Sequence, residues 1–171
     1  MESRVKVLGH STHQMLIVFP LGLLVTALVF DVVYLLTGRP EFGTVSYWMI
    51  AAGLIGALAA AVPGLIDWLA IPSGTRAKRI GLWHAVGNVV GVVGLFAASW
   101  FIRLADPAHP SALAIWLAAG GVAVGAVTAW LGGELVSRLG IGVDPGANPD
   151  APSSLSGRPA EDRPGGFPRP A

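Results

Sequence analysis

The chain contains no cysteine. That excludes a disulfide scaffold, a zinc ribbon, an iron–sulfur centre and a thiol nucleophile within it. Charge is scarce as well. Only 12 % of the 171 residues are Asp, Glu, Lys or Arg, roughly half the share of an average soluble domain. The net charge of +1 leaves no basic footprint for nucleic acid. Catalytic signatures are missing too: no nucleophile elbow, no phosphate-binding loop and no HExxH motif occurs.

What is present in excess is apolar surface. Hydrophobic residues make up 53 % of the chain, and its mean hydropathy is +0.65. A helix needs about 20 predominantly apolar residues to cross a bilayer core. Four runs reach that length, at residues 15–36, 47–69, 80–102 and 111–131. The first is longer than the apolar core of a signal peptide, and the Thr37-Gly38-Arg39-Pro40 that follows offers no small-x-small cleavage pattern, so it reads as a retained helix. Helix-breaking Gly and Pro mark the connections. Short links make sequential helices antiparallel neighbours, so the expected fold is an all-α, four-transmembrane-helix up-down bundle in a lipid bilayer.

Orientation follows from Lys and Arg. Arg4, Lys6, Arg76, Lys78, Arg79 and Arg138 flank the spans on one side, against Arg39 and Arg103 on the other. The expectation is a bacterial inner-membrane protein with both termini cytoplasmic. Trp48, Trp68, Trp83, Trp100 and Trp130 lie near span ends, as an interfacial aromatic belt would. Residues 1–143 form the membrane domain in this reading. Residues 144–171 hold seven of the 13 prolines and almost no large apolar side chains, so they read as a disordered cytoplasmic tail.

Small residues recur at helical spacing: Gly53, Gly56, Ala60 and Gly64 in the second span, Gly87, Gly91 and Gly94 in the third, Gly121 and Gly125 in the fourth. Such faces let helix backbones approach in lipid. They are read chiefly as packing faces, and secondarily as room for a flat cofactor or for a second copy of the chain.

Ionisable residues in or beside the spans are few, and each needs a partner or a task. The topology places His10, His13, Asp67, His84 and Glu134 in one layer near the inner interface. His84 shares its face with Asn88 and the glycines of the third span, and Asp67 continues the small face of the second; both are expected to point inward. His10 and His13 share a face if the first helix starts early. Asp31 lies on the His13 face but in the opposite leaflet, and His109 reads as a solvated loop residue. Three readings stay open. The polar side chains are structural glue in a subunit without cofactor. Or His13 and His84, on parallel diagonal helices, are the axial ligands of a haem b, with His10 as the substitute for His13 and with Asp67 and Asn88 orienting an imidazole or a propionate. Or His10, His13, His84, Asp67 and Glu134 supply ligands to a non-haem metal. With no histidine layer in the outer leaflet, a single haem exchanges electrons at one surface only. A transporter is disfavoured, because no inverted repeat or broken helix pair is visible.

The stretch Gly9-His10-Ser11-Thr12-His13-Gln14-Met15 through Pro20-Leu21-Gly22 resembles the opening of the DUF2231 family of bacterial integral membrane proteins. The Phe30-Asp31 pair, the run from Pro63 to Trp68, His84-Ala85-x-x-Asn88, Gly132 to Val136 and Gly140 to Val143 fit the same family. Ser11 and Gln14 stand where the family typically has proline. The resemblance implies a four-span domain of unknown function, sometimes joined to Rieske-type iron–sulfur domains, and hence a redox partner on another polypeptide.

Overall fold

The computed structural model describes residues 1–162. Four helices are long and apolar enough to cross a membrane: α1 (Thr12–Thr37), α2 (Pro40–Ala70), α3 (Arg76–Ile102) and α4 (Ala112–Arg138). All four expected spans are present, and all are longer than the apolar runs alone. The largest difference is at the first connection. Residues 37–46 read as a loop, yet only Gly38 and Arg39 separate α1 from α2. Gly38 ends α1 in the left-handed conformation, φ 67°, donating its N–H to Tyr34 O at 2.8 Å. Pro40 occupies the first turn of α2, where its missing N–H costs nothing. Thr75 and Ser111 cap α3 and α4 by accepting from Lys78 N and Ala114 N.

Helix α1 packs along α2, and α3 along α4; further contacts join α1 to α4 and α2 to α3, so α1 and α3 stand diagonally. This is the expected up-down arrangement. Glycines bring the backbones close. A Cβ on Gly53 would lie 2.6 Å from Leu24, one on Gly91 2.5 Å from Val124, and one on Gly121 2.6 Å from Phe96. The small faces are therefore filled by neighbouring helices, which favours the packing reading over a surface kept for a second copy.

The bundle is not equally dense along its length. Leu24, Ala27, Ile50, Phe96 and Ala118 form a buried core in the half that holds the α1–α2 and α3–α4 connections. In the other half, α1 has no buried residue between Thr12 and Leu23, and α3 has none between Leu82 and Leu95. Within that same stretch α3 changes to π-helical geometry at Gly87–Val93, and α4 does so at Glu134–Arg138.

A small hairpin that the sequence did not suggest precedes α1. Strands β1 (Lys6–Val7) and β2 (His10–Ser11) pair antiparallel around Leu8 (φ 51°) and Gly9 (φ 83°), a two-residue turn with positive φ at both positions. Part of the expected tail docks on it: Ser154 Oγ donates to Leu8 O at 3.0 Å, and Lys6 pairs with Asp144. Apart from one short 3-10 turn at Ser154–Ser156, residues 144–162 form no regular element. Residues 163–171 of that segment lie outside the described residues.

Candidate functional site

The β-hairpin fixes where α1 begins. Thr12 N donates to Val5 O at 3.0 Å, so His13 falls in the first turn of α1. Its imidazole leans on α2, where Gly64 leaves the space: a Cβ there would lie 2.7 Å from His13 Nδ1. Nδ1 stands 2.8 Å from Ala60 O. A carbonyl only accepts, so Nδ1 carries the proton and Nε2 keeps its lone pair.

His84 repeats the arrangement on the opposite diagonal. It lies in the third turn of α3, just before the π-helical stretch. Its Nδ1 is 2.8 Å from Thr128 O on α4, and Gly132 makes room for the ring, with a built Cβ 3.1 Å from Cε1. Asn88 completes the surroundings. Its Nδ2 donates to His84 O at 2.8 Å and lies 3.4 Å from His84 Nε2, while its Oδ1 accepts from Thr128 Oγ1 at 3.1 Å. The two imidazoles meet across the bundle with ring centroids 6.3 Å apart and planes at 86°. Thr12 Oγ1, beside His13, is buried without a hydrogen-bond partner.

The structure thus brings together His13, His84 and Asn88, and separates the other candidates. Asp67 is buried on α2, but its carboxylate accepts from Ser3 Oγ and Arg4 N, both at 2.6 Å, and so pins the segment before the hairpin. Glu134 pairs with Arg76 at 2.8 Å, closing the α3–α4 end. His10 is on β2 rather than on α1; it is exposed, and its Nε2 lies 3.4 Å from Ser154 Oγ. His10 and His13 therefore share no helix face, because His10 lies in β2 and α1 starts only at Thr12. Among the described residues no group of three or more His, Asp and Glu is poised around one point. What remains is a two-imidazole site.

A second polar pair, which sequence reasoning missed, joins the same two helices at the far end. Arg103, counted above as an outer-loop charge, is 1 % exposed, and Asp31 is fully buried. Its guanidinium grips Asp31 through both terminal nitrogens at 2.7 Å. It also donates to Ser46 Oγ on α2 and Ser99 Oγ on α3, both at 3.2 Å; Ser99 in turn donates to Ala114 O on α4 at 2.7 Å. Three helices meet at this one guanidinium, and Ser99 extends the network to α4. The signal was available: a carboxylate inside a span requires a partner, and Arg103 is one of only two cations at that end.

Comparison with known proteins gives one result. The family described as "Predicted membrane protein (DUF2231)" matches residues 9–145, most of the chain, and the chain belongs to it. No curated protein and no solved structure matches.

Proposed function

We propose that this DUF2231 member is an electron-transfer subunit that holds a b-type haem iron between His13 and His84. The observation that carries the reading is the geometry of the imidazole pair. Each ring has spent its Nδ1 proton on a backbone carbonyl, the outer-sphere contact that orients a metal-ligating histidine and raises its basicity. Each keeps Nε2 as a donor. The two ring centroids are 6.3 Å apart. Glycines give the rings their room: Gly64 faces His13 and Gly132 faces His84, and no residue of α1 from Thr12 to Leu23 or of α3 from Leu82 to Leu95 is fully buried. A haem supplies reversible one-electron chemistry at such a site. The chain supplies the two nitrogens, their orientation through Ala60 O and Thr128 O, and an apolar surround.

The orientation rests on the charged residues. The far side carries only Arg39 and Arg103 near the spans, and Arg103 is buried against Asp31. The side that carries the His pair holds Arg4, Lys6, Arg76, Lys78, Arg79 and Arg138. That asymmetry favours the cytoplasmic face of a bacterial inner membrane for the His pair. A centre at one face requires a redox partner on that face, and a Rieske-type protein is the kind the family resemblance suggests.

The test is a reduced-minus-oxidised spectrum of the full chain expressed with excess haem precursor and purified in mild detergent. Sharp low-spin bands, lost in both His13→Ala and His84→Ala, are the expected result. A featureless spectrum from a folded sample would retire the haem reading. Elemental analysis of that sample then separates a non-haem metal from a bundle in which the histidines only hold helices together.

A further inference from the structure

The two imidazoles are alike in how Nδ1 is held and unlike in what faces Nε2. We propose that they are unequal ligands, His13 fixed and His84 releasable, and that Asn88 sets the difference. The inequality rests on the site proposed above, but its first consequence is visible without any cofactor.

On His84, the Asn88 amide lies 3.4 Å from Nε2. Its orientation is forced. Nδ2 faces two acceptors, His84 O at 2.8 Å and His84 Nε2, while Oδ1 receives the Thr128 hydroxyl at 3.1 Å. Turned over, the amide would set its oxygen against both acceptors, His84 O and His84 Nε2. The amide therefore stands as an N–H donor beside the one lone pair His84 has left. No side chain takes this position at His13 Nε2 among the described residues. The seats differ too. His13 lies on regular α2 backbone, between Ala60 O and Gly64. His84 is followed at once by seven π-helical residues that include Asn88. A π stretch carries an extra residue per turn and marks a helix able to shift register.

His13 would offer a metal an unclaimed lone pair and His84 a partly claimed one, so His13 would be the firmer of the two ligands. Were His84 released, the Asn88 N–H would stand beside the position it left. The ligand class that fits there is a small anion, or another compact acceptor, that binds the metal and takes that hydrogen bond. Asn88 is thus a positioning residue for His84 and a specificity residue for the exchanged ligand.

Two measurements on the full chain test this. The first uses haem-free protein in detergent and diethyl pyrocarbonate, with the modified histidines located by mass spectrometry. His13 reacts faster than His84 by about three- to tenfold, the factor one ordinary hydrogen bond supplies, and Asn88→Ala closes the gap. Equal rates in the wild type, or a gap unchanged by Asn88→Ala, would overturn the proposal whether or not haem binds. The second uses haem-loaded protein titrated with azide. His84→Ala retains haem in a high-spin form and His13→Ala does not, and Asn88→Ala weakens azide binding by a similar three- to tenfold. Identical behaviour of the two histidine variants, or azide binding indifferent to Asn88, would also overturn it. A wild type that takes up no haem counts against the function proposed above and leaves the labelling result to decide this one.

Discussion

Helices α1 and α3 touch twice across the bundle, through Asp31–Arg103 at one end and His13–His84 at the other. At the Arg103 end every neighbour is committed. The guanidinium has partners on α1, α2 and α3, and the hydrophobic core lies directly beneath it. At the His end the rings are fixed by one nitrogen each, α1 and α3 have no fully buried residue from Thr12 to Leu23 and from Leu82 to Leu95, and α3 is π-wound. An ion pair in a low-dielectric interior is tolerable only when complete. A neutral imidazole carries no such penalty, so the chain can leave its second nitrogen unused. The first pair therefore reads as the lock of the bundle and the second as its working end.

The comparison breaks most visibly at Arg103. Arg103→Met strands a fully buried carboxylate, and unfolding in detergent should show a loss of about 3–5 kcal/mol. The double variant Asp31→Leu with Arg103→Met should recover most of it, since an apolar pair leaves no charge uncompensated. If the single variant unfolds like the wild type, this end is not the lock.

Packing of the closed half gives the next effect. Gly121→Val sets a side chain 2.6 Å from the Phe96 ring and should cost about 1–3 kcal/mol. Gly133, with nothing within 4 Å of a built Cβ, should accept alanine with little change in midpoint temperature. Equal sensitivity at both positions would erase the distinction between filled and open glycines.

At the working end the stability effect is smaller. His13→Ala and His84→Ala each give up one hydrogen bond to a carbonyl, worth about 1 kcal/mol, and the redox spectrum should change far more than the melting curve does. A histidine variant as destabilised as Arg103→Met would make this pair a lock as well.

The smallest effect lies outside the bilayer. Bonds to Asp144 and Glu2 raise the Lys6 ammonium above its ordinary 10.5. A raised lysine contributes below its unfolded value and stops contributing as pH rises through the folded one. The docking of residue 144 on the hairpin should thus hold at neutral pH and loosen above about pH 10.5, at a cost under about 1 kcal/mol because the pair is largely solvated. Limited proteolysis after residue 143 at the two pH values checks it, and cleavage that ignores pH would remove Lys6 from the contact.

Much of this was legible in the chain. Asn88, His84 and His13 were readable as neighbours because parallel diagonal helices bring equal depths together. Asp67 was misleading: its depth was right, but it turns to the backbone of Arg4, a contact with residues that have no periodicity to read. Arg103 was hidden by its position after the last apolar residue of α3, where a cation looks solvated. Leu8-Gly9 carries no strong hairpin signature, since Leu is uncommon at positive φ, and so the hairpin that keeps His10 out of α1 was not foreseen.

The sequence by itself determined the number of spans, their alternation and the family, because the cost of burying backbone and charge in hydrocarbon leaves one arrangement for four apolar runs with short links. Which polar groups pair was decided only by tertiary structure. Pairing depends on rotation of each helix about its axis to within one residue, and here close approach at glycines and a stretch of π-helix set that rotation. It turned one predicted cluster of five residues into an isolated imidazole pair, and two apparently unrelated charges into the bond that closes the bundle.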